Sequence, residues 1–314
     1  MSRQNPVWSA AIPGDAEVAV LGVDPDATSV YVADGWGVAY AALRLRRLSL
    51  DTGEELATVR LGNSARCITF HDGELLAATD TKVFRLVPKT LEIVGRWDKR
   101  VPRYTDTIVA DDGRLLLANW RHENVSLVDV DEWRIRRLAV GLYPQLLRVS
   151  EREVLAYGRD EETLWRVDLS ATRPTLEHLS DPGPCHEAAY DAVEGLVWMA
   201  PGSFAVKTTT RLTVRLRPGD QSGTIAAFDP ATGAKQRTIV LSAPARRVAL
   251  APTRREIWTA GDTMVARYSL DSGDGEETAL PRGFAPTRLE PERGLVFALH
   301  ERGNVSELIA LRIA

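Results

Sequence analysis

Sulfur is scarce in this chain: its 314 residues include two cysteines and three methionines. No paired-cysteine motif exists, and no G-x-S-x-G, P-loop or G-x-G-x-x-G segment occurs, so acyl-enzyme, nucleotide and dinucleotide chemistry have no support. No apolar run approaches the eighteen or so residues that a transmembrane helix needs. The opening Met1-Ser-Arg-Gln-Asn-Pro-Val-Trp-Ser-Ala-Ala-Ile-Pro13 lacks an apolar stretch of signal-peptide length, and the expectation is a cytoplasmic protein with no membrane partner. A net charge of -4 offers no general attraction to nucleic acid or anionic lipid. Hydrophobic residues at 44% and charged residues at 26% are an ordinary globular balance.

What the chain does have is a unit of about forty residues that recurs from Val18 onward. Its second half is plainest in Leu48-Ser-Leu-Asp-Thr-Gly53, Phe84-Arg-Leu-Val-Pro-Lys-Thr90, Leu127-Val-Asp-Val-Asp131 and Ala227-Phe-Asp-Pro-Ala-Thr-Gly233. Units of that length built only of strand signals and tight turns predict an all-β, seven-bladed β-propeller in one domain over 1–314, each unit one four-stranded blade. Asp72-Gly73 and Asp112-Gly113, each between apolar runs, are strong hairpin signals. Inner strands are predicted to begin near 17, 65, 105, 144, 186, 245 and 286. The last unit then lacks its fourth strand, and residues 6–13 are expected to supply it, burying Val7, Trp8 and Ile12 and closing the ring. Cys67 and Cys185 fall in distant blades and are expected to be free, buried thiols.

Val23-Asp-Pro-Asp-Ala-Thr-Ser-Val-Tyr-Val-Ala-Asp34 and Asp51-Thr-Gly-Glu-Glu-Leu-Ala-Thr-Val-Arg-Leu-Gly62 resemble the repeat of the YVTN (YncE-like) propellers, and Leu250-Ala-Pro-Thr-Arg-Arg-Glu-Ile-Trp-Thr-Ala260 resembles it less closely. The resemblance covers most of the chain and implies the architecture. It does not imply an activity, since related folds serve binding, lyase, lactonase and scaffold roles. Characterised relatives are often exported, and the missing signal segment here departs from that pattern.

In a propeller, the segments leading into the inner strands and the loops joining second to third strands share one face, around the channel mouth, where binding groups concentrate. Candidate ligand-binding residues there are Arg66, Tyr104, Asp106, Trp120, Gln145 and Arg246. His186 and His300 are candidate acid/base catalysts, and His122, His186 and Glu187 are candidate ligands for a divalent cation, because neutral imidazole and carboxylate suit both tasks. His186-Glu-Ala-Ala-Tyr190 is not a zinc-protease motif: it lacks the second histidine and lies in a strand, where i and i+4 share no helical face. Blade five carries an inserted segment, 200–223, whose alternation from Lys207 to Arg217 predicts a β-hairpin, with Arg211, Arg215 and Arg217 on one side. Tryptophans 97, 133, 165, 198 and 258 recur in strands and are expected to pack between blades, whereas Trp36 and Trp120 fall in loops. Two readings stand: a module that binds a small polar or anionic molecule or a protein partner at the mouth, and a metal-assisted lyase, hydrolase or isomerase acting on a small anionic substrate there. Nucleic acid is disfavoured by the acidic balance and the lack of interleaved exposed aromatics.

Overall fold

Seven antiparallel four-stranded sheets follow one another along the chain in the computed structural model, each running from an inner strand outward. The structure describes residues 6–14, 18–35, 38, 42–79, 82–97, 104–109, 114–119, 124–129, 132, 134–141, 144–159, 162–170, 173–201, 203–207, 213–217 and 223–313, and for 104–109, 201, 203–207 and 213–217 the backbone alone. The inner strands are Ala19–Val23, Tyr104–Val109, Ala65–His71, Pro144–Arg148, Cys185–Asp191, Arg247–Ala251 and Ala285–Glu290, within two residues of the predicted starts. Each approaches the inner strand of the next blade, and the last approaches the first, so the sheets form a closed ring.

Closure is by the N-terminal strand. Trp8–Pro13 pairs antiparallel with Val305–Arg312, from Trp8↔Ala310 to Pro13↔Val305, and becomes the outer strand of blade seven. Trp8 and Ile12 are buried, and the Trp8 indole N–H donates to Leu50 O at 2.7 Å in blade one. Val7, expected to be buried with them, is 41% exposed: strand alternation cannot turn adjacent Val7 and Trp8 to the same face.

The core is divided into seven parts, one at each blade–blade interface. Leu45, Tyr31, Leu75 and Phe84 fill the gap between blades one and two; Trp198, Ile225, Ile257 and Tyr268 fill that between five and six; Phe297, Leu308, Val30 and Trp8 join seven to one. This arrangement explains why the second strands read as continuous apolar runs rather than alternating ones. Ser29–Ala33 is buried at every position and Arg114–Asn119 at all but its first, because neighbouring blades cover both faces. Outer strands such as Glu55–Arg60 alternate and are largely exposed. Trp198 and Trp258 lie fully buried between blades, and Trp133 falls outside the described residues.

The turn at Asp72 (φ 48°) and Gly73 (φ 76°) has the left-handed pair of a two-residue hairpin loop, joining His71 to Glu74. The blade-five insertion forms a separate two-stranded sheet, Ser203–Lys207 against Thr213–Arg217. Its first arm thus lies N-terminal to the alternation seen in the sequence. Arg215 and Arg217, two apart, share a face of the second arm, while Arg211 is outside the described residues. Cys67 and Cys185 are free and buried, in the interfaces between blades two and three and between four and five.

Candidate functional site

The innermost strands are irregular where they reach the mouth. Register shifts between Ala65 and Cys67, between Tyr104 and Asp106, and between Cys185 and Glu187 leave Arg66, Thr105 and His186 as extra residues opposite the second strands. In blade six the Arg246 N–H donates to Ala260 O at 2.8 Å just ahead of the pair Arg247↔Ala260. A bulge bends its strand and re-aims the side chain at the inserted position. Two of the candidate site residues, Arg66 and His186, therefore stand on bulges, a feature with no sequence signature here.

Directly after these positions a second pattern appears. Gln145, Glu187 and Arg247 lie at the same level of three successive blades, opposite Tyr157, Ala200 and Ala260. Each reaches the backbone of the following blade. Gln145 Nε2 donates to Ala188 O and Gln145 Oε1 accepts from the Ala188 N–H, both at 2.9 Å. The Glu187 carboxylate is turned to the next blade, where the Val248 N–H faces it. Arg247 Nε donates to Pro286 O at 3.3 Å. Arg288 continues the series by donating to Leu21 O at 3.0 Å, from blade seven to blade one. Among the described residues the inner strands of neighbouring blades form no ladder with one another, so these side chains satisfy backbone groups that would otherwise face the channel unpaired.

The charges on this inner ring are unevenly balanced. Glu187 is held above its ordinary range by burial, which outweighs Arg247 at 3.9 Å, Arg159, the Val248 N–H and Arg288. His186, half-buried, is held below its ordinary value by burial first and then by the cations Arg246 and Arg159, so its imidazole is neutral near pH 7. Arg159 Nη2 donates to Gln145 Oε1 at 3.1 Å, and Arg246 pairs with Asp262 at 3.1 Å in the open. Gln145, Arg159, His186, Glu187 and Arg246 are thus gathered across blades four to six.

His300 stands apart from that group, in the second strand of blade seven. Its ring meets Phe284 edge-on at 5.2 Å and its Nδ1 accepts from Arg302 Nε at 3.2 Å. Arg66 lies in the inner strand of blade two, away from the cluster in blades four to six. Tyr104 and Asp106 are in the inner strand of blade three, with backbone alone described. Trp120, Trp36 and His122 lie outside the described residues. Among the described residues no group of three His, Cys, Asp or Glu side chains has metal-binding spacing, and no helix is long and apolar enough to cross a membrane.

Solved structures that this chain resembles in fold include two WD40 domains. The Neurospora crassa Pan2 WD40 domain superposes with a TM-score of 0.71 at 9% identity, over 99% of this chain and 97% of that one. The C-terminal WD40 domain of Sif2 superposes with a TM-score of 0.60 at 10% identity, over 94% of this chain and 81% of that one. At such identities the likeness is one of fold. No protein-family model matches the sequence, and no curated protein matches it.

Proposed function

We propose that this propeller is a non-catalytic interaction module whose mouth face docks a protein partner. The observation that carries the reading is the division of labour among the polar residues of the inner strands. Gln145, Glu187, Arg247 and Arg288 spend their polar atoms on the next blade's backbone, which makes the rim rigid. Arg66 and His186, on the bulges, and Arg246, 52% exposed beside Asp262, stand at the mouth end of those strands as contacts for a partner. A rigid rim lowers the ordering cost of association. The likeness in shape to two WD40 domains supports an interaction role by analogy of fold. The repeat segments around Val23 and Asp51 support counting the chain among the YVTN (YncE-like) propellers, and its two free, buried thiols suit a cytoplasmic setting.

Crosslinking mass spectrometry on the full chain tests this. A photoreactive residue at Asp262 should give partner adducts that His186→Ala and Arg246→Ala reduce, with melting unchanged. The same probe at Val240, on the outer strand of blade five, should give few. Adducts indifferent to both substitutions, or equally frequent from Val240, would move the docking surface away from the mouth.

A further inference from the structure

On the face opposite the mouth, blades three and four diverge to leave a cleft of about 500 Å³. Among the described residues its lining is unusual for an acidic chain: Arg114, Arg134, Arg136 and Arg173 against one carboxylate, Asp129. The cleft is the outer end of the blade three–four core. Leu127, directly opposite Arg136 on the neighbouring strand, belongs both to that core and to the cleft wall, and Pro174 walls the other side.

The four cations are not equivalent. Arg114 is committed to structure, its Nη2 donating to Leu169 O of blade four at 2.7 Å. Arg134 pairs with Glu132 at 2.9 Å. Asp129 also has a structural task, since its Oδ1 accepts the Glu132 N–H at 2.9 Å and shapes the turn into the outer strand. Arg136 and Arg173 are exposed, come from different blades, and have no acidic partner among the described residues. Two guanidinium groups on the walls of one partly apolar cleft repel each other, and a carboxylate between them would relieve that repulsion while accepting bidentate hydrogen bonds.

We propose that this cleft is a second docking site, which takes an acidic peptide segment of a protein partner, with carboxylate side chains on Arg136 and Arg173 and the chain lying along Leu127, Ile135 and Pro174. The excess of positive charge selects an anionic occupant, and the apolar floor, with Ile135 36% exposed, favours a polypeptide over a free ion. The site is independent of the mouth and of the function proposed for it.

Fluorescence anisotropy with a labelled oligoglutamate tests the assignment on the full chain. Oligoglutamate should bind, more weakly as salt is raised, and oligoglutamine should not. Arg136→Glu and Arg173→Glu should each weaken binding by about tenfold or more, while Arg282→Glu, an exposed charge reversal in the loop between blades six and seven, should leave it unchanged. Melting curves check that the variants fold, and Arg136→Gln and Arg173→Gln replace any that does not. Equal binding of oligoglutamine, indifference to both substitutions, displacement by inorganic phosphate as effective as by unlabelled oligoglutamate, or tighter binding of a single-stranded oligonucleotide would each overturn it.

Discussion

Gln145 and Glu187 occupy equivalent positions in adjacent blades and reach the next blade in the same way, yet removing their functional groups should have opposite effects. Gln145 is neutral and gives both a donor and an acceptor to Ala188, a residue only 3% exposed. Gln145→Ala strands a buried N–H and a buried carbonyl, and denaturant unfolding should show a loss of about 1–3 kcal/mol. Glu187 gives an acceptor only, and its carboxyl is held above its ordinary value of 4.5 because burial outweighs the nearby cations. A raised carboxyl contributes its stability below the unfolded value, and that contribution is lost as pH rises through the folded value. Near neutral pH the ionised form is therefore a burden, and Glu187→Gln, which keeps an acceptor for Val248, should raise the melting temperature. The gain should vanish below pH 4.5, where the wild-type side chain is itself neutral. A Gln variant less stable at pH 7 would mean that Arg247 at 3.9 Å governs the carboxylate after all.

At the scale of single elements, the turns and strands were readable because their signals are local. Asp72-Gly73 needs two left-handed residues, and its composition announces them. The doubly covered second strands announce themselves as unbroken apolar runs. What each inner-strand side chain touches was not readable. Gln145 finds its partner at Ala188, 43 residues on, across a gap that no periodicity describes. Gly53 joins the two kinds of information. Sequence marks it as the turn residue of Asp51-Thr-Gly53, and its φ of +73° agrees. The fold adds that a Cβ there would lie 2.6 Å from the Trp8 ring, so the turn is also the seat of the closing strand. Gly53→Ala should cost about 1–3 kcal/mol by overpacking, beyond the strain of a left-handed alanine. In a Trp8→Ala background, itself about 3–5 kcal/mol less stable, only the backbone strain should remain. Additive losses in calorimetry would show that the ring does not press on the turn.

Seen whole, the molecule forms no single central core among its described residues. Its apolar residues are shared among seven interfaces, each of which exists only while both neighbouring blades are in place. The interface between blades seven and one differs from the others because its outer strand comes from the opposite end of the chain. Trp8 and Ile12 bury there, at about 1.5–3 kcal/mol each, so the strand holds on the order of 3–6 kcal/mol, close to the lower range of the stability of a typical domain. Without it, Val305–Arg312 becomes a bare edge, and Leu50 loses the indole that donates to its carbonyl. Removing residues 1–13 should therefore lower the melting temperature severely or yield aggregated protein. Where soluble protein survives, hydrogen exchange should rise first in Val305–Arg312 and in the strands Ser29–Ala33 and Arg44–Ser49, whose side chains share the core cluster of Trp8. Protection lost equally in blades three and four would indicate that the ring opens as one unit rather than at its seam. A truncated chain that melts like the intact one would show that the strand is dispensable to closure.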